Sequence, residues 1–142
     1  MTRPPQAGKT TRRLAKRTPS ERELDILDAL WDRGSGTVAQ VREHLSRERE
    51  VDLAYTTVLT MLRTLEAKGW VRHADAGRAH RYFAAVERDY ARFITIAGLV
   101  EPLFGGSYER LLAFLIGGPH LGPRALRRIR DSLDERLEER KR

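Results

Sequence analysis

The spacing of the apolar residues changes near residue 70, and this change constrains the fold more than any other feature of the chain. Up to residue 69, apolar residues recur every three or four positions in three short segments, which is the period of an amphipathic helix. Beyond that point, residues 70–74 and 80–84 read as two short strands, and the turn-forming residues 75–78 (DAGR) separate them. We therefore expect three helices followed by a β-hairpin.

Capping signals mark the starts of the first two helices. Ser20 followed by Glu23, and Thr37 followed by Gln40, are capping boxes, and a polar turn over residues 47–52 leads into the third helix. The predicted buried stripes are Leu24, Leu27, Leu30 and Trp31 in the first helix, Val38, Val41 and Leu45 in the second, and Val58, Leu62 and Leu65 in the third. Three helices and a hairpin are the layout of a winged helix-turn-helix domain.

The chain after residue 87 is predicted to form further amphipathic helices, broken by glycines at 105–106 and 117–118 and reopened at Pro123. These helices are too few to close a core of their own, so they either pack against a second copy of the chain or fold back on the first domain. The residues expected between two copies are Phe93, Val100, Phe104, Leu111, Leu115, Leu126, Ile129 and Leu133. The expected fold class is mainly α with a small β-hairpin: an N-terminal winged helix-turn-helix domain plus a C-terminal helical dimerisation domain.

The excess positive charge lies in the first twenty residues, which contain six Arg or Lys and no acid, out of a net charge of +7. Such a segment buries too little apolar surface to order itself. We therefore expect a disordered basic arm over residues 1–19, a winged helix-turn-helix domain over 20–86 and a dimerisation domain over 87–142. The arm would neutralise DNA phosphates or serve only as a solvated tail, and its composition fits both.

The third predicted helix carries many hydroxyl groups near its start, although β-branched residues are poor helix formers. When its apolar stripe is buried, an outward surface remains that consists of Tyr55, Thr56, Thr57, Thr60, Arg63 and Thr64. Threonine and arginine read base edges in the major groove, and a helix N-terminus suits phosphate. A single threonine at a helix start is more often a cap or a filler than a base contact, and Tyr55 is also explained as a residue that packs against the preceding helix. The interpretation therefore depends on the cluster together with the hairpin that follows it.

The predicted hairpin adds two arginines to this surface. Arg78, beside Gly77, lies where a wing would reach the flanking phosphates or the minor groove, and Arg81 is close to it in the sequence. An exposed arginine on a hairpin also serves solubility alone. Its position after a candidate recognition helix favours a second DNA contact.

Four segments carry a resemblance to a known family. AYTTVLTMLRTLEAKGWV (54–71) and GRAHRYFA (77–84) resemble the penicillinase-repressor family, the BlaI/MecI type of winged-helix regulator. ELDILDALWDRGSGTVAQVREHLS (23–46) is similar to its first two helices, and LVEPLFGGSYERLLAFL (99–115) is similar to the LFxGS segment that opens its dimerisation domain. The resemblance implies a homodimeric repressor that binds a palindromic operator in double-stranded DNA through the third helix.

The resemblance also implies a route of release from DNA. In the best-known members, a membrane sensor-protease signals the presence of β-lactam, and the repressor is cut at an Asn-Phe bond in the dimerisation domain. The matching bond here is Ala113-Phe114, where alanine replaces that asparagine. Release by a small ligand bound in the C-terminal domain is the alternative, and the residues that would line its pocket are Phe93, Phe104, Tyr108 and Phe114. A copper-responsive branch of the family has a cysteine-rich C-terminal tail. This chain has no cysteine, so we do not expect it to belong to that branch.

The sequence lacks the motifs that are typical of metal-binding proteins, enzymes and membrane proteins. Without cysteine there is no thiolate metal site, and the four histidines, His44, His73, His80 and His120, form no ligand motif. His73 and His80 either face each other across the hairpin or are ordinary surface histidines, and the second interpretation is preferred. We therefore expect no enzymatic activity, no cofactor and no metal. No apolar run approaches the ~18–20 residues that span a bilayer, and no secretory signal is present, so we expect a cytoplasmic protein without membrane insertion. Non-specific architectural DNA binding through the arm is the remaining alternative.

Overall fold

The computed structural model describes residues 18–141, so the predicted arm lies outside the described residues except for Thr18 and Pro19. The helices are α1 (Glu21–Arg33), α2 (Val38–Arg49), α3 (Tyr55–Ala67), α4 (Arg88–Phe104), α5 (Tyr108–Gly117) and α6 (Pro123–Lys141), and the strands β1 (Val71–Ala76) and β2 (Ala79–Ala84) stand between α3 and α4. This order, three helices followed by an antiparallel hairpin, confirms the predicted fold class.

Both predicted capping boxes are present. The Ser20 hydroxyl accepts a bond from the Glu23 N–H, and the Glu23 carboxylate accepts one from the Ser20 N–H; Thr37 and Gln40 make the same pair of bonds at the start of α2. The predicted polar turn begins too early, because α2 continues to Arg49 and ends only at Glu50, which adopts a left-handed conformation with φ 54°.

The core of the first unit lies between α1, α2, α3 and the base of the hairpin. The predicted stripe of α3, Val58, Leu62 and Leu65, is fully buried. It packs in one cluster with the apolar faces of α1 and α2 and with Trp70 and Tyr82 from the hairpin. Each large side chain buried in this way stabilises the fold by about 1.5–3 kcal/mol. The opposite face of α3 is therefore held outward by the packing of its inner face.

The hairpin is longer than predicted, and the predicted four-residue turn is wrong. The ladder continues through the pairs Asp75–His80 and Ala76–Ala79, which leaves a two-residue loop at residues 77–78. Gly77 has φ 70°, the positive value that short hairpin loops require. The base of the hairpin is held by Gly36, whose backbone exchanges two hydrogen bonds with Tyr82 at 2.8 and 2.9 Å.

The start of α4 is fixed to α1 by one arginine. The Arg88 guanidinium lies 2.7 Å from the carboxylate of Asp32 and stacks over the Trp31 ring at 5.3 Å, while the Trp31 indole N–H donates to the Val86 carbonyl at 2.9 Å. The hydrogen bond from Arg88 lowers the pKa of Asp32 below its ordinary value, with a smaller contribution from His44.

The chain divides into two compact units, and the division falls inside α4, between Gly98 and Leu99. In the second unit, α4 ends at Phe104 before two glycines with positive φ, and the Ser107 hydroxyl caps α5 by accepting the Arg110 N–H at 3.1 Å. Pro123 is the first residue of α6, as predicted.

A helix that crosses a bilayer needs about 20 consecutive, predominantly apolar residues. Over residues 18–141, each helix is either too short or too polar to meet this requirement.

Candidate nucleic-acid interface

The outward face of α3 is the first part of the candidate site. All six predicted contact residues on this helix are exposed: Tyr55, Thr56, Thr57, Thr60, Arg63 and Thr64. Tyr55, which had an alternative interpretation as a packing residue, is 49% exposed. Arg63 makes no ion pair with another described residue, so its guanidinium is available to an external acceptor. One helix face therefore presents hydroxyls, methyl groups and one guanidinium together.

The N-terminus of α3 differs from those of the helices before it. Its N-cap is Ala54, which has no side chain able to accept the first-turn N–H groups, whereas Ser20 and Thr37 cap α1 and α2. No threonine of the first turn takes over this role, so the interpretation of Thr56 and Thr57 as caps is wrong. An uncapped helix start leaves backbone donors and a partial positive charge facing solvent, which suits a phosphate group.

The hydroxyls on this face are not all equivalent. The Thr64 hydroxyl donates to the Thr60 carbonyl at 3.0 Å, one turn earlier in the same helix. This bond occupies the donor of Thr64 but leaves its methyl group exposed. The hydroxyls of Thr56, Thr57 and Thr60 have no hydrogen-bond partner among the described residues, so they are the better candidates for base contacts.

The turn between α2 and α3 fixes the position of the outward face of α3. The Arg42 guanidinium donates to the Leu53 carbonyl at 2.8 Å, and the Ser46 hydroxyl donates to Asp52 at 2.6 Å. At the other end of α3, Lys68 lies 2.9 Å from Glu23 of α1. Both ends of α3 are thus held by polar contacts that do not use its outward face.

The two hairpin arginines have different environments. Arg78 is exposed at the tip of the loop and makes no ion pair with another described residue. Arg81 is half-buried, and its guanidinium donates to the Ser35 hydroxyl at 3.1 Å. Arg78 is therefore the better placed of the two predicted wing contacts, because Arg81 already holds the hairpin to the segment before α2. Tyr82 follows Arg81 on β2, and burial raises the pKa of its phenol, which stays neutral.

One cluster on the hairpin is indicated by the sequence only in part, through the alternative in which His73 and His80 face each other, and without Asp75. His73, Asp75 and His80 lie together on the hairpin, with ligand atoms within 4.8 Å of one another. Their sequence spacing matches no metal motif. The strand register would have revealed the cluster, but the overlong predicted turn hid the pairing of Asp75 with His80.

The second unit exposes an unusual amount of apolar surface. Neither α5 nor α6, both fully described, contains a buried residue. The predicted interface residues lie on these helices and on α4; Val100 is buried, Leu115 and Leu133 are exposed, and the others are half-buried. Leu103 and Phe114 are 67% and 68% exposed. Exposed apolar side chains on neighbouring helices favour an interaction with another protein surface.

Of the aromatic residues predicted to line a ligand pocket, Phe104, Tyr108 and Phe114 lie in this unit together with the predicted cleavage bond, whereas Phe93 lies in the first unit. The rings of Phe104 and Phe114 lie 5.7 Å apart in a tilted pair. Ala113 and Phe114 are both exposed and lie within the helical segment of α5.

Three helices followed by an antiparallel hairpin, with one face of the third helix exposed, define a winged helix-turn-helix protein. Residues 19–135 match the family described as penicillinase repressor, and the chain belongs to that family. The chain is 47% identical over 68 residues to the transcriptional regulator BlaI from two strains of Mycobacterium tuberculosis, a match that covers 47% of this chain and 48% of the relative. The chain thus spans about half the length of the curated relatives it matches.

Two solved structures are also similar. One is the solution structure of the DNA binding domain of the repressor BlaI, with 26% identity and a TM-score of 0.44, covering 51% of this chain and 85% of that one. The other is Bordetella bronchiseptica BpsR, whose DNA binding is regulated by 6-hydroxynicotinic acid, with 17% identity and a TM-score of 0.40, covering 90% of this chain and 92% of that one.

Proposed function

We propose that this protein is a homodimeric, sequence-specific DNA-binding repressor that acts without catalysis. The observation that carries the proposal is the outward face of α3, where hydroxyls and the Arg63 guanidinium stand exposed next to an uncapped helix start. The contact residues are proposed to be Tyr55, Thr56, Thr57, Thr60, Arg63, Thr64, Arg78 and Arg81.

The proposed contacts are of two kinds: contacts to phosphates, which position the protein on DNA, and contacts to bases, which recognise the sequence. The first-turn amides of α3 would bind one backbone phosphate, and Arg78 at the hairpin tip would bind another or enter the minor groove. Thr57 and Thr60 would contact base edges or thymine methyl groups, and Arg63 would take two acceptors on guanine. Phosphate contacts would supply most of the affinity, and the α3 side chains would choose the sequence.

Dimerisation is supported by the apolar surface of the second unit. Leu112 and Phe114 on α5 and Leu137 on α6 are each more than half exposed in the single chain. A second copy that covers this surface would place two α3 helices on one side of the duplex, about 34–36 Å apart or a multiple of that distance. The operator would then be a palindrome that reflects the two-fold symmetry of the protein.

Repression and release follow from this geometry. A bound dimer would block polymerase, and separating the protomers would release it, because two linked half-sites bind far more tightly than one. A membrane sensor-protease that cuts at Ala113-Phe114 is the proposed partner for release, because this bond matches the Asn-Phe bond that is cut in the best-known members of the family. The domain boundaries proposed are 20–86 for the DNA-binding domain and 87–142 for the dimerisation domain.

Selection from a random duplex library tests the proposal. The full-length protein should enrich a palindrome, and its affinity for that sequence should exceed its affinity for a scrambled duplex by about 10³-fold or more at the same salt concentration. Footprinting on the DNA upstream of its own gene should protect two half-sites about one helical turn apart. Equal affinity for the selected and scrambled duplexes would contradict sequence-specific binding and favour an architectural role.

A further inference from the structure

One face of the hairpin carries three side chains that commonly bind metals, and the repressor activity proposed above does not use them. His73 and Asp75 are two residues apart on β1 and therefore point to the same face, and His80 lies opposite Asp75 in the ladder. One ligand atom from each of the three lies within 4.8 Å of the others, and the two imidazole centroids are 4.5 Å apart.

The strand register explains how this cluster is held. Val71 and Tyr82 occupy the same face nearer the base of the hairpin and are buried in the core. Their burial fixes the orientation of the whole face, so that the next residues towards the tip are set side by side by the backbone. The cluster is thus built on a rigid ladder, and only side-chain rotations are needed to close it around an ion.

A carboxylate lies next to one nitrogen of each imidazole. The Glu66 carboxylate oxygens lie 2.7 and 2.8 Å from His73 Nδ1, and Asp75 Oδ1 lies 2.8 Å from His80 Nδ1. In metal sites, a carboxylate that holds one imidazole nitrogen fixes the ring and leaves the other nitrogen for the metal. Glu66, at the end of α3, performs this role for His73 and leaves its Nε2 available.

We propose that His73, Asp75 and His80 form a binding site for a divalent transition metal of the Zn²⁺ type, with Glu66 as a positioning residue. Two imidazoles and one carboxylate are a donor set that suits Zn²⁺, Co²⁺ or Ni²⁺ and disfavours Mg²⁺ and Ca²⁺, which take oxygen ligands. Zn²⁺ bonds of about 2.0–2.1 Å place neighbouring tetrahedral ligands about 3.3 Å apart, so an ion held by both side chains would replace the 2.8 Å contact between Asp75 Oδ1 and His80 Nδ1 and open it by about 0.5 Å.

The three ligands are open to solvent, so an ion has a direct path to them. The side chains of His73, His80 and Asp75 are 37%, 52% and 81% exposed. Three protein ligands leave a fourth position for water or for a donor from a bound partner. The metal would cross-link β1 to β2 and, through Glu66, connect the hairpin to α3.

Metal titration of the untagged full-length chain, stripped with a chelator, tests the site. We expect the protein to compete with a chromophoric chelator for one equivalent of Zn²⁺. Co²⁺ bound at the site should give the visible absorption band of a four-coordinate ion. His73→Ala or His80→Ala should abolish the binding, and Glu66→Gln should weaken it by about 10–100-fold. Millimolar Mg²⁺ should not compete.

The matched control is His120→Ala, which removes an exposed histidine from the second unit. It should leave the stoichiometry and affinity unchanged. Far-UV circular dichroism should show that each exposed substitution leaves the fold intact. The absence of saturable Zn²⁺ binding in the wild-type chain, or binding that survives the loss of both His73 and His80, would overturn the site.

The site also bears on DNA binding, and this consequence rests on the proposed function. A dication would offset the negative charges of Asp75, on the hairpin that carries Arg78, and of Glu66 at the end of α3, so Zn²⁺ should tighten operator binding by wild type and not by His80→Ala. If wild type binds Zn²⁺ and operator but its affinity for DNA does not change, the metal site stands and its link to DNA is overturned. If the chain binds no DNA at all, the proposed function fails while the metal titration remains decisive.

Discussion

Lys68 Nζ lies 2.9 Å from Glu23 Oε1, so the residue that follows α3 is joined to the first turn of α1 across 45 positions of sequence. The Glu23 side chain is only 8% exposed, and it also accepts the Ser20 N–H of the capping box. This carboxylate therefore serves two purposes. It caps α1, and it helps to fix the helix that carries the proposed DNA contacts.

The first prediction concerns Glu23→Gln, which keeps an acceptor for Ser20 but removes the charge that faces Lys68. We expect the free energy of unfolding at pH 7 to fall by about 1–2 kcal/mol, because a charge-assisted hydrogen bond is replaced by a neutral one. Urea denaturation followed by circular dichroism measures the difference. Glu48→Gln, an exposed position on α2, is the matched control and should change stability by less than about 0.5 kcal/mol.

The pH dependence of this difference has a definite sign. Burial alone would raise the pKa of Glu23, but the Ser20 N–H and Lys68 outweigh it and hold the pKa below the ordinary value of 4.5. The stabilisation is therefore fully present above pH 4.5 and is lost as the pH falls through the lower folded-state pKa. Wild type and Glu23→Gln should converge in stability towards low pH. A difference that stays constant from pH 7 to pH 3 would show that the charge of Glu23 is irrelevant.

The second prediction separates sequence reading from general affinity. Thr57→Ala and Arg63→Ala should each weaken binding to the selected operator by about 1–3 kcal/mol and leave binding to a scrambled duplex nearly unchanged, because base contacts exist only on the right sequence. Fluorescence anisotropy at fixed salt measures both affinities. Arg124→Ala removes one exposed charge in the second unit and controls for net charge. Equal weakening on both duplexes would remove these residues from the reading surface.

The third prediction concerns the basic arm, which lies outside the described residues apart from its last two. Deleting residues 1–17 removes six positive charges and no negative one. We expect weaker binding to all duplexes and a shallower dependence of log K on log salt, by about 0.9 for each phosphate that the arm no longer neutralises. Anisotropy titrations across a series of salt concentrations give the slope. An unchanged slope would show that the arm neutralises no DNA phosphates.

Local signals in the sequence predicted local structure well. The pairs Ser20–Glu23 and Thr37–Gln40 are three residues apart, so their capping bonds depend on little beyond the helix start itself. The buried stripe of α3 follows from helical periodicity, and its outward face follows by exclusion. These features were predictable because the residues that decide them are neighbours in sequence.

Contacts between distant segments were not predictable in the same way. The Gly36–Tyr82 bridge and the Lys68–Glu23 pair join residues far apart in the chain, and no spacing rule indicates them. The cluster of His73, Asp75 and His80 was predictable only in part, for a more specific reason. Asp75 and Ala76 are polar or small, which is typical of a turn, whereas the backbone ladder continues through both and brings Asp75 opposite His80.

The fourth prediction tests whether the exposed apolar surface of the second unit is a dimer interface. Phe114 and Leu112 are 68% and 53% exposed in the single chain, so Phe114→Asp or Leu112→Asp should cost the protomer little stability. In a dimer, either change would bury a carboxylate against apolar side chains, so we expect dimer dissociation constants to rise by at least about 100-fold and operator affinity to fall with them. Sedimentation equilibrium measures the assembly, and Glu109→Ala on the same helix is the control. If the Asp variants stay dimeric and bind operator normally, the interface lies elsewhere, and the exposed leucines of α5 must serve another partner.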